Sequence, residues 1–338
     1  MDLIVEGKGL FIGKHQGRIR ISREQKTVQE MPLIHLKQIV IVDSGVSISS
    51  DVIRVCSEEG IPLHFLNRRG KHIAGLYSSG LTGTILTRRA QLLAYTTPLG
   101  LTVSKAFVSG KLQNQVNMLR YFAKSRKEQE PELYDAAQLT VGVLRDALQA
   151  LEDLQGNCIE EVRERLLSLE GRAAQAYWSV IAALIPASLQ WPGRETRGAV
   201  DLFNCVLNYG YGVLYAQVEQ ALLLAGLDPY AGFLHADRPG KPSLVLDLIE
   251  EFRQCVVDRT IIGLINRHVS LEQDEACLLT EHTRRTIAEK VLERLDGSTE
   301  LYEGKRQALR FILQNQARHL ACFLRGDRES YMPFVAGW

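Results

Sequence analysis

The chain has 338 residues and a formal net charge of +1, a length that suits about two domains. Hydrophobic residues make up 46%, enough for a sizeable core, which excludes a disordered or fibrous chain. Six scattered cysteines (Cys56, Cys158, Cys205, Cys255, Cys277, Cys322) contain no C-x-x-C pair, which argues against a disulfide framework and a thiolate zinc site and fits a reducing compartment. No stretch reaches the ~18 apolar residues of a membrane span, and the N-terminus lacks the apolar core of a signal peptide. The expectation is a cytoplasmic protein with no membrane partner.

In chain order, residues 4–6, 10–12, 18–22 and 34–42 are short runs rich in Ile and Val, divided by turn signals such as Gly7-Lys8-Gly9. They predict strands. A helix is predicted over 50–59, opened by Ser-Asp and stopped at Gly60. Two more strands follow at 61–66 and 73–77 around the turn Arg69-Gly70. After Gly83 the alternation stops, and apolar residues fall at helical spacing over 86–95, 102–127, 131–155, 159–184, 201–225, 243–267 and 302–325. The predicted class is α+β. A small β-rich N-terminal domain, 1–84, precedes a larger all-α C-terminal domain, 85–338.

The near-neutral total conceals an uneven distribution. Between Gly60 and Lys127 there is no Asp or Glu, while eleven Lys and Arg occur, leaving 29 basic against 39 acidic residues elsewhere. Solvated faces usually mix signs, so this segment predicts binding to a polyanion.

Residues 243–267 carry the most informative pattern. On one helix Asp247, Glu250, Glu251, Gln254 and Asp258 would share a stripe about 100° wide, with apolar residues over most of the remaining surface. The stripe must face solvent or an internal cleft, and carboxylates crowded in a cleft need a compensating cation. His235 lies twelve residues before Asp247, with Pro239 and Pro242 bending the chain between them, so its imidazole can fold back over the acids. One imidazole with two or more carboxylates suits Mn²⁺ or Mg²⁺ better than a structural Zn²⁺. Glu170 is the third element, in a small-residue run with Gly171, Ala173, Ala174 and Ala176 that invites close approach by another helix.

These motifs together resemble one family, the CRISPR-associated endonuclease of spacer acquisition, the integrase subunit of the CRISPR adaptation complex. The resemblance rests on Leu169-Glu170-Gly171 with Ala173-Ala174 and Tyr177, on DLFNCVLNYGY from Asp201 to Tyr211, and on Gly226-Leu227-Asp228-Pro229 through Gly232-Phe233-Leu234-His235. It ends with SLVLDLIEEFR from Ser243 to Arg253. Arg88, Gln91, Lys105, Lys111, Asn114 and Gln115 stand where this family favours such residues. The resemblance implies that Glu170, His235 and Glu250 bind one Mn²⁺ or Mg²⁺ ion and form the catalytic site, with Asp247 as an auxiliary acid. It further implies insertion of new spacer DNA into a CRISPR array by 3′-hydroxyl attack on a phosphodiester. The implied partners are double-stranded DNA, a second copy paired through the β-rich domain, a small ferredoxin-like second protein of the complex, and a prespacer-processing nuclease.

Arg88, Lys105, Lys111, Arg172, Arg194, Arg197, Arg238 and Lys241 are candidates for phosphate contacts, and Asn204, Asn208 and Tyr211 recur at i, i+4 and i+7 as candidate cleft-lining residues. Two other readings stay open at this stage: a non-catalytic DNA-binding scaffold whose acidic stripe faces water, and a metallohydrolase for small substrates. The latter leaves the acid-free segment unexplained.

Overall fold

Period-two burial runs along most of the first strands. In the computed structural model, which describes residues 1–78 and 84–337, they are β1 (Asp2–Glu6), β2 (Leu10–His15), β3 (Arg18–Arg23), β4 (Lys26–Pro32), β5 (Gln38–Val42) and β6 (Val46–Ile48). Helix α1 (Ser50–Glu58), β7 (Leu63–Leu66) and β8 (His72–Leu76) complete this head. One sheet has the order β1-β5-β7-β8, parallel except for β8. The other has the order β4-β3-β2-β6. Leu3, Ile39 and Ile41 of the first meet Ile12, Ile19 and Ile21 of the second, with Val52 and Cys56 of α1, in one core.

Val40, Val42 and Leu66 point the other way and join the core of the helical body. Strand β5 is therefore buried at every position, as its unbroken Ile-Val run requires of a strand covered on both faces. Strands β4 and β6 are absent from the sequence prediction. The segment KTVQEMP of β4 is polar, lies at a sheet edge and is mostly exposed, so neither alternation nor a β-branched run announces it. The texture change at Gly83 lies outside the described residues.

The body comprises α2 (Thr84–Ala94), α3 (Pro98–Lys124), α4 (Pro131–Glu152), α5 (Arg163–Leu184), α6 (Leu202–Leu224), α7 (Ser243–Leu248), α8 (Arg259–Asn266), α9 (Glu281–Gly297) and α10 (Leu309–Arg325). Pro98 at the first turn of α3, after the Thr97 cap, and the Asp201 carboxylate accepting from Asn204 N at 2.9 Å fix where two long helices start. Both run through the centre, burying Phe107, Leu112, Met118 and Leu119 on α3 and Phe203, Leu207 and Leu214 on α6.

Two expectations for the body need correction. It is not purely helical: β9 (Thr299–Tyr302) and β10 (Lys305–Ala308) form a hairpin. Its turn, Glu303-Gly304, has positive φ at both residues, the geometry that matches strand twist in two-residue hairpins. Nor is 243–267 one helix. After α7 a 3₁₀ turn covers Ile249–Glu251, a π-helical stretch covers Arg253–Asp258, and α8 follows. Each change of residues per turn rotates the side chains that follow, so the single acidic stripe does not form.

The head docks on the body where the β7–β8 turn meets α6. A Cβ on Gly212 would stand 1.6 Å from the Gly70 carbonyl oxygen, so only glycine permits this approach. Gly212→Ala is expected to cost about 3 kcal/mol of unfolding free energy through overpacking. Gly142→Ala, at an α4 position with open space around it, is expected to stabilise by about 0.5–1 kcal/mol. Equilibrium denaturation of both variants checks the contrast.

Candidate active site

Three chain segments meet at one ammonium group. Lys111 on α3 extends between Glu170 of α5 and Glu250 of the 3₁₀ turn, bonding Glu170 Oε1 and lying 2.8 Å from Glu250 Oε2. Arg253 Nε stands 3.1 Å from Glu250 Oε1 on the other side. These two ion pairs place a positive charge on either side of the Glu250 carboxylate. Burial by itself would raise the Glu250 carboxyl, but Arg253 and Lys111 outweigh it, with His235 adding to the field, and hold it well below the ordinary carboxylate range. The small-residue run around Glu170 works differently from expectation. Gly171 faces open space, while Ala173 is buried.

His235 is held by a carboxylate of its own. Asp247 on α7 accepts from the backbone N–H groups of Phe233 (2.7 Å), Leu234 (3.0 Å) and His235 (3.0 Å), and from the His235 ring at Nδ1 (2.7 Å). Arg163 holds the same loop from its carbonyl side, donating to Phe233 O and Leu234 O at 3.2 Å. Gln91 donates to the carbonyls of Asp228 and Ala231 just upstream. Fixing Nδ1 through a buried carboxylate sets the ring orientation and leaves Nε2 as the nitrogen for a ligand. Asp247 thus orients the imidazole.

The other acids of the supposed stripe go elsewhere. Glu251 turns away from Glu250 and accepts from Tyr331 Oη (2.6 Å), Phe334 N (2.8 Å) and Gln316 Nε2 (2.7 Å). Burial pushes its carboxyl up to about 7, against those three donors. Asn114 ties the same tail down, donating to Glu251 O and Phe334 O and accepting from Ala336 N. Asp258 accepts hydroxyls from Tyr177 (2.8 Å) and Tyr211.

Beside this centre a cleft of about 1290 Å³ separates the tip of the head from the body. Its walls carry Arg68, Arg69 and Lys71 from the β7–β8 turn, and Arg194, Arg197, Arg238, Lys241 and Arg253 from the body, with Glu219 as the one acid. The expected cations divide accordingly. Arg238 and Lys241 line the cleft, and burial beside Arg238 lowers the Lys241 ammonium. Arg172 is exposed on α5. Lys105 instead donates to the carbonyls of Glu152 and Leu154 (both 3.0 Å) at the end of α4. Lys111 is consumed by the two glutamates, and Arg88 is half-buried with its Nε unpaired. The acid-free segment is therefore not one basic face.

The stripe Asn204, Asn208 and Tyr211 serves Arg194. Both amide oxygens accept from its guanidinium (3.0 and 2.6 Å), and its Cζ lies 5.3 Å from the Tyr211 ring centroid. Sequence reasoning did not single out Arg253 or Asp258 as site residues. Their signal was the wheel position of one acid and one base, which the irregular helix displaced.

The three expected ligands are brought together in part. Glu170 and Glu250 share one cation, and His235 approaches Glu250 closely enough to lower its carboxyl. Among the described residues no three His, Cys, Asp or Glu are gathered as a ready metal cage, and it is Lys111 that stands between the acids. The donor chemistry, two carboxylates and an oriented imidazole, fits a hard or intermediate divalent ion.

Fold and site define the class: a β-rich head on a helical body, with buried carboxylates around one cation at the edge of a cationic cleft. The profile of the family described as CRISPR associated protein Cas1 matches residues 3–293. A CRISPR-associated endonuclease Cas1 of Archaeoglobus fulgidus is 38% identical, with 100% of both chains covered. The chain belongs to the Cas1 family. Among solved structures, a casposase bound to integration product superposes with a TM-score of 0.83 at 23% identity, covering 98% of this chain and 92% of that one. A chain of a Cas6-RT-Cas1–Cas2 complex gives 0.77 at 20% identity, covering 99% of this chain and 36% of that one. Both share the fold. No helix among the described residues is long and apolar enough to cross a membrane.

Lys111→Met would leave two buried carboxylates without their cation. At pH 7 the expected cost is about 3–5 kcal/mol. Glu250 is depressed in the folded protein, so its contribution is present above its unfolded value of 4.5 and is lost as pH falls below it. The gap between parent and variant is therefore expected to hold from pH 7 to about pH 5 and to narrow as pH falls from about 4.5 towards about 2, as urea denaturation across that range would record.

Proposed function

We propose that the protein is a metal-dependent DNA endonuclease and integrase that inserts new spacer DNA into a CRISPR array. The single observation that carries this reading is that Glu170 and Glu250, 80 residues apart in sequence, converge on one positive charge beside a cleft lined by arginine and lysine. Glu170, Glu250 and His235 through Nε2 would hold a Mn²⁺ or Mg²⁺ ion. Bound there, such an ion supplies Lewis-acid polarisation of a phosphoryl oxygen.

The residues of the chain do the rest. Asp247 keeps the imidazole aimed, and the cleft cations hold the phosphodiester in line with an incoming 3′-hydroxyl. The new P–O bond forms to that hydroxyl oxygen while the bond to the departing 3′-oxygen breaks, and water in its place gives endonuclease cleavage. The names of the relatives, endonuclease and casposase with integration product, support this chemistry. The Cas1–Cas2 complex among the fold neighbours supports the small second protein as a partner. Residues 1–84 would pair two copies, and the assembly would work in the cytoplasm.

Glu170→Ala, His235→Ala and Glu250→Ala are each expected to abolish joining of donor ends to plasmid in Mn²⁺ while leaving DNA affinity within about twofold, since phosphate contacts dominate that affinity. Joining at the parental rate would sink the site assignment, and no joining by the parent would favour the scaffold reading. Affinity for duplex DNA should also fall steeply with salt. Neutralising Arg197, Arg238 and Lys241 together is expected to flatten the slope of log K against log salt by roughly 0.9 for each phosphate contact removed. Lys105→Ala, whose ammonium is spent on carbonyls, should leave that slope unchanged.

A further inference from the structure

Two guanidinium groups share one aromatic ring at the wall of the cleft, and they are not equivalent. Arg194 Cζ lies 5.3 Å and Arg253 Cζ 4.8 Å from the centroid of Tyr211. Arg194 is spent: its terminal nitrogens donate to Asn204, Asn208 and the Glu195 carbonyl. Arg253 is not. Its Nε edge faces Glu250 without an aligned hydrogen bond. No described residue accepts a hydrogen bond from its guanidinium, and the side chain lines the cleft with about a fifth of its surface open.

A fork of unused donors beside an aromatic ring at the edge of a cavity matches a phosphate, whose oxygens can take two parallel N–H bonds. Lys111 is shared between Glu170 and Glu250, so Arg253 supplies the second positive charge beside Glu250 through its Nε edge, which leaves its outer nitrogens without a described acceptor.

The ring beneath Arg253 is itself anchored. The Tyr211 hydroxyl donates to Asp258 Oδ1, and the second oxygen of the same buried carboxylate accepts from Tyr177 at 2.8 Å. Tilting the Tyr211 ring would break a hydrogen bond inside the core and leave a carboxylate oxygen unpaired, which the interior resists. The ring beside Arg253 is thereby set from behind, by an acid that does not line the cleft. Tyr177 makes an equivalent bond to Asp258, yet its ring lies against Trp178, with centroids 5.0 Å apart.

We propose that Arg253 binds a phosphate of DNA lying in the cleft, and that Tyr211, its hydroxyl fixed by Asp258, is a positioning residue for that arginine. This rests on the reading of the protein as a DNA-joining enzyme and adds one phosphate contact to it, with the device that aims it.

The test compares Tyr211→Phe, which keeps the ring and removes the hydroxyl, with Tyr177→Phe, which removes the other hydroxyl from the same carboxylate. For each, affinity for a fluorescent duplex oligonucleotide, KM and kcat of strand transfer in Mn²⁺, and the unfolding midpoint are measured. Tyr211→Phe is expected to raise Kd and KM about tenfold, the worth of one charged hydrogen bond, with kcat within about twofold. Tyr177→Phe should lower the unfolding midpoint as much as Tyr211→Phe does, since both hydroxyls bond the same carboxylate, while KM stays at the parental value. Because the hydroxyl acts through the arginine, Tyr211→Phe combined with Arg253→Gln should raise KM no further than Arg253→Gln alone. Equal KM changes in the two tyrosine variants, or full additivity in the double variant, would overturn the proposal while parental DNA binding left the functional reading intact. A parental protein that bound no duplex would overturn both.

Discussion

The site depends on one ammonium group between two buried carboxylates. Glu170 and Glu250 are almost wholly removed from water, and each would carry a desolvation penalty of several kcal/mol if left alone. Lys111 converts that penalty into a link between α3, α5 and the 3₁₀ turn, three segments with no other reason to bring charges together.

The scaffolding behind the site is built from the acids next to the ligand. Asp247, Glu250, Glu251 and Asp258 lie within twelve residues of sequence, and each faces a different neighbour. Asp247 gathers three backbone N–H groups and an imidazole. Glu251 pins the tail through Tyr331 and Phe334, and Asp258 receives two tyrosine hydroxyls. A regular helix would have put all four on one side, where their repulsion would add. Passing from α-helix through a 3₁₀ turn to a π-helical stretch spreads them: Glu250 faces two cations, and the other three accept hydrogen bonds. The irregular backbone is thus the condition for burying so many carboxylates together.

The cleft is a joint product of head and body. Arg68, Arg69 and Lys71 arrive on the β7–β8 turn, which the contact of Gly70 with Gly212 seats on α6. Arg194, Arg197, Arg238 and Lys241 come from loops of the body. Asp43, paired with Arg68, and Glu219 offset part of their mutual repulsion, and the remaining surplus of cations around a cavity beside buried acids favours a phosphate polymer over a neutral ligand.

The sequence by itself determined the two-part organisation, because alternation of period two and spacing of period 3.6 are local properties that survive without any partner. It also singled out Glu170, His235, Asp247 and Glu250 as candidates, through the resemblance carried by the motifs around them and through the cost of acids on an apolar helix. Only the tertiary structure decided where each charge went. Lys111 and Lys105 look alike in an acid-free run, yet one lies between two glutamates and the other caps helix carbonyls. Asn114 reads as a polar residue of the site but ties down the tail. These outcomes depend on which distant segment packs opposite a side chain, and on small changes of helical pitch that turn neighbouring residues by tens of degrees. Neither is encoded in spacing along one element.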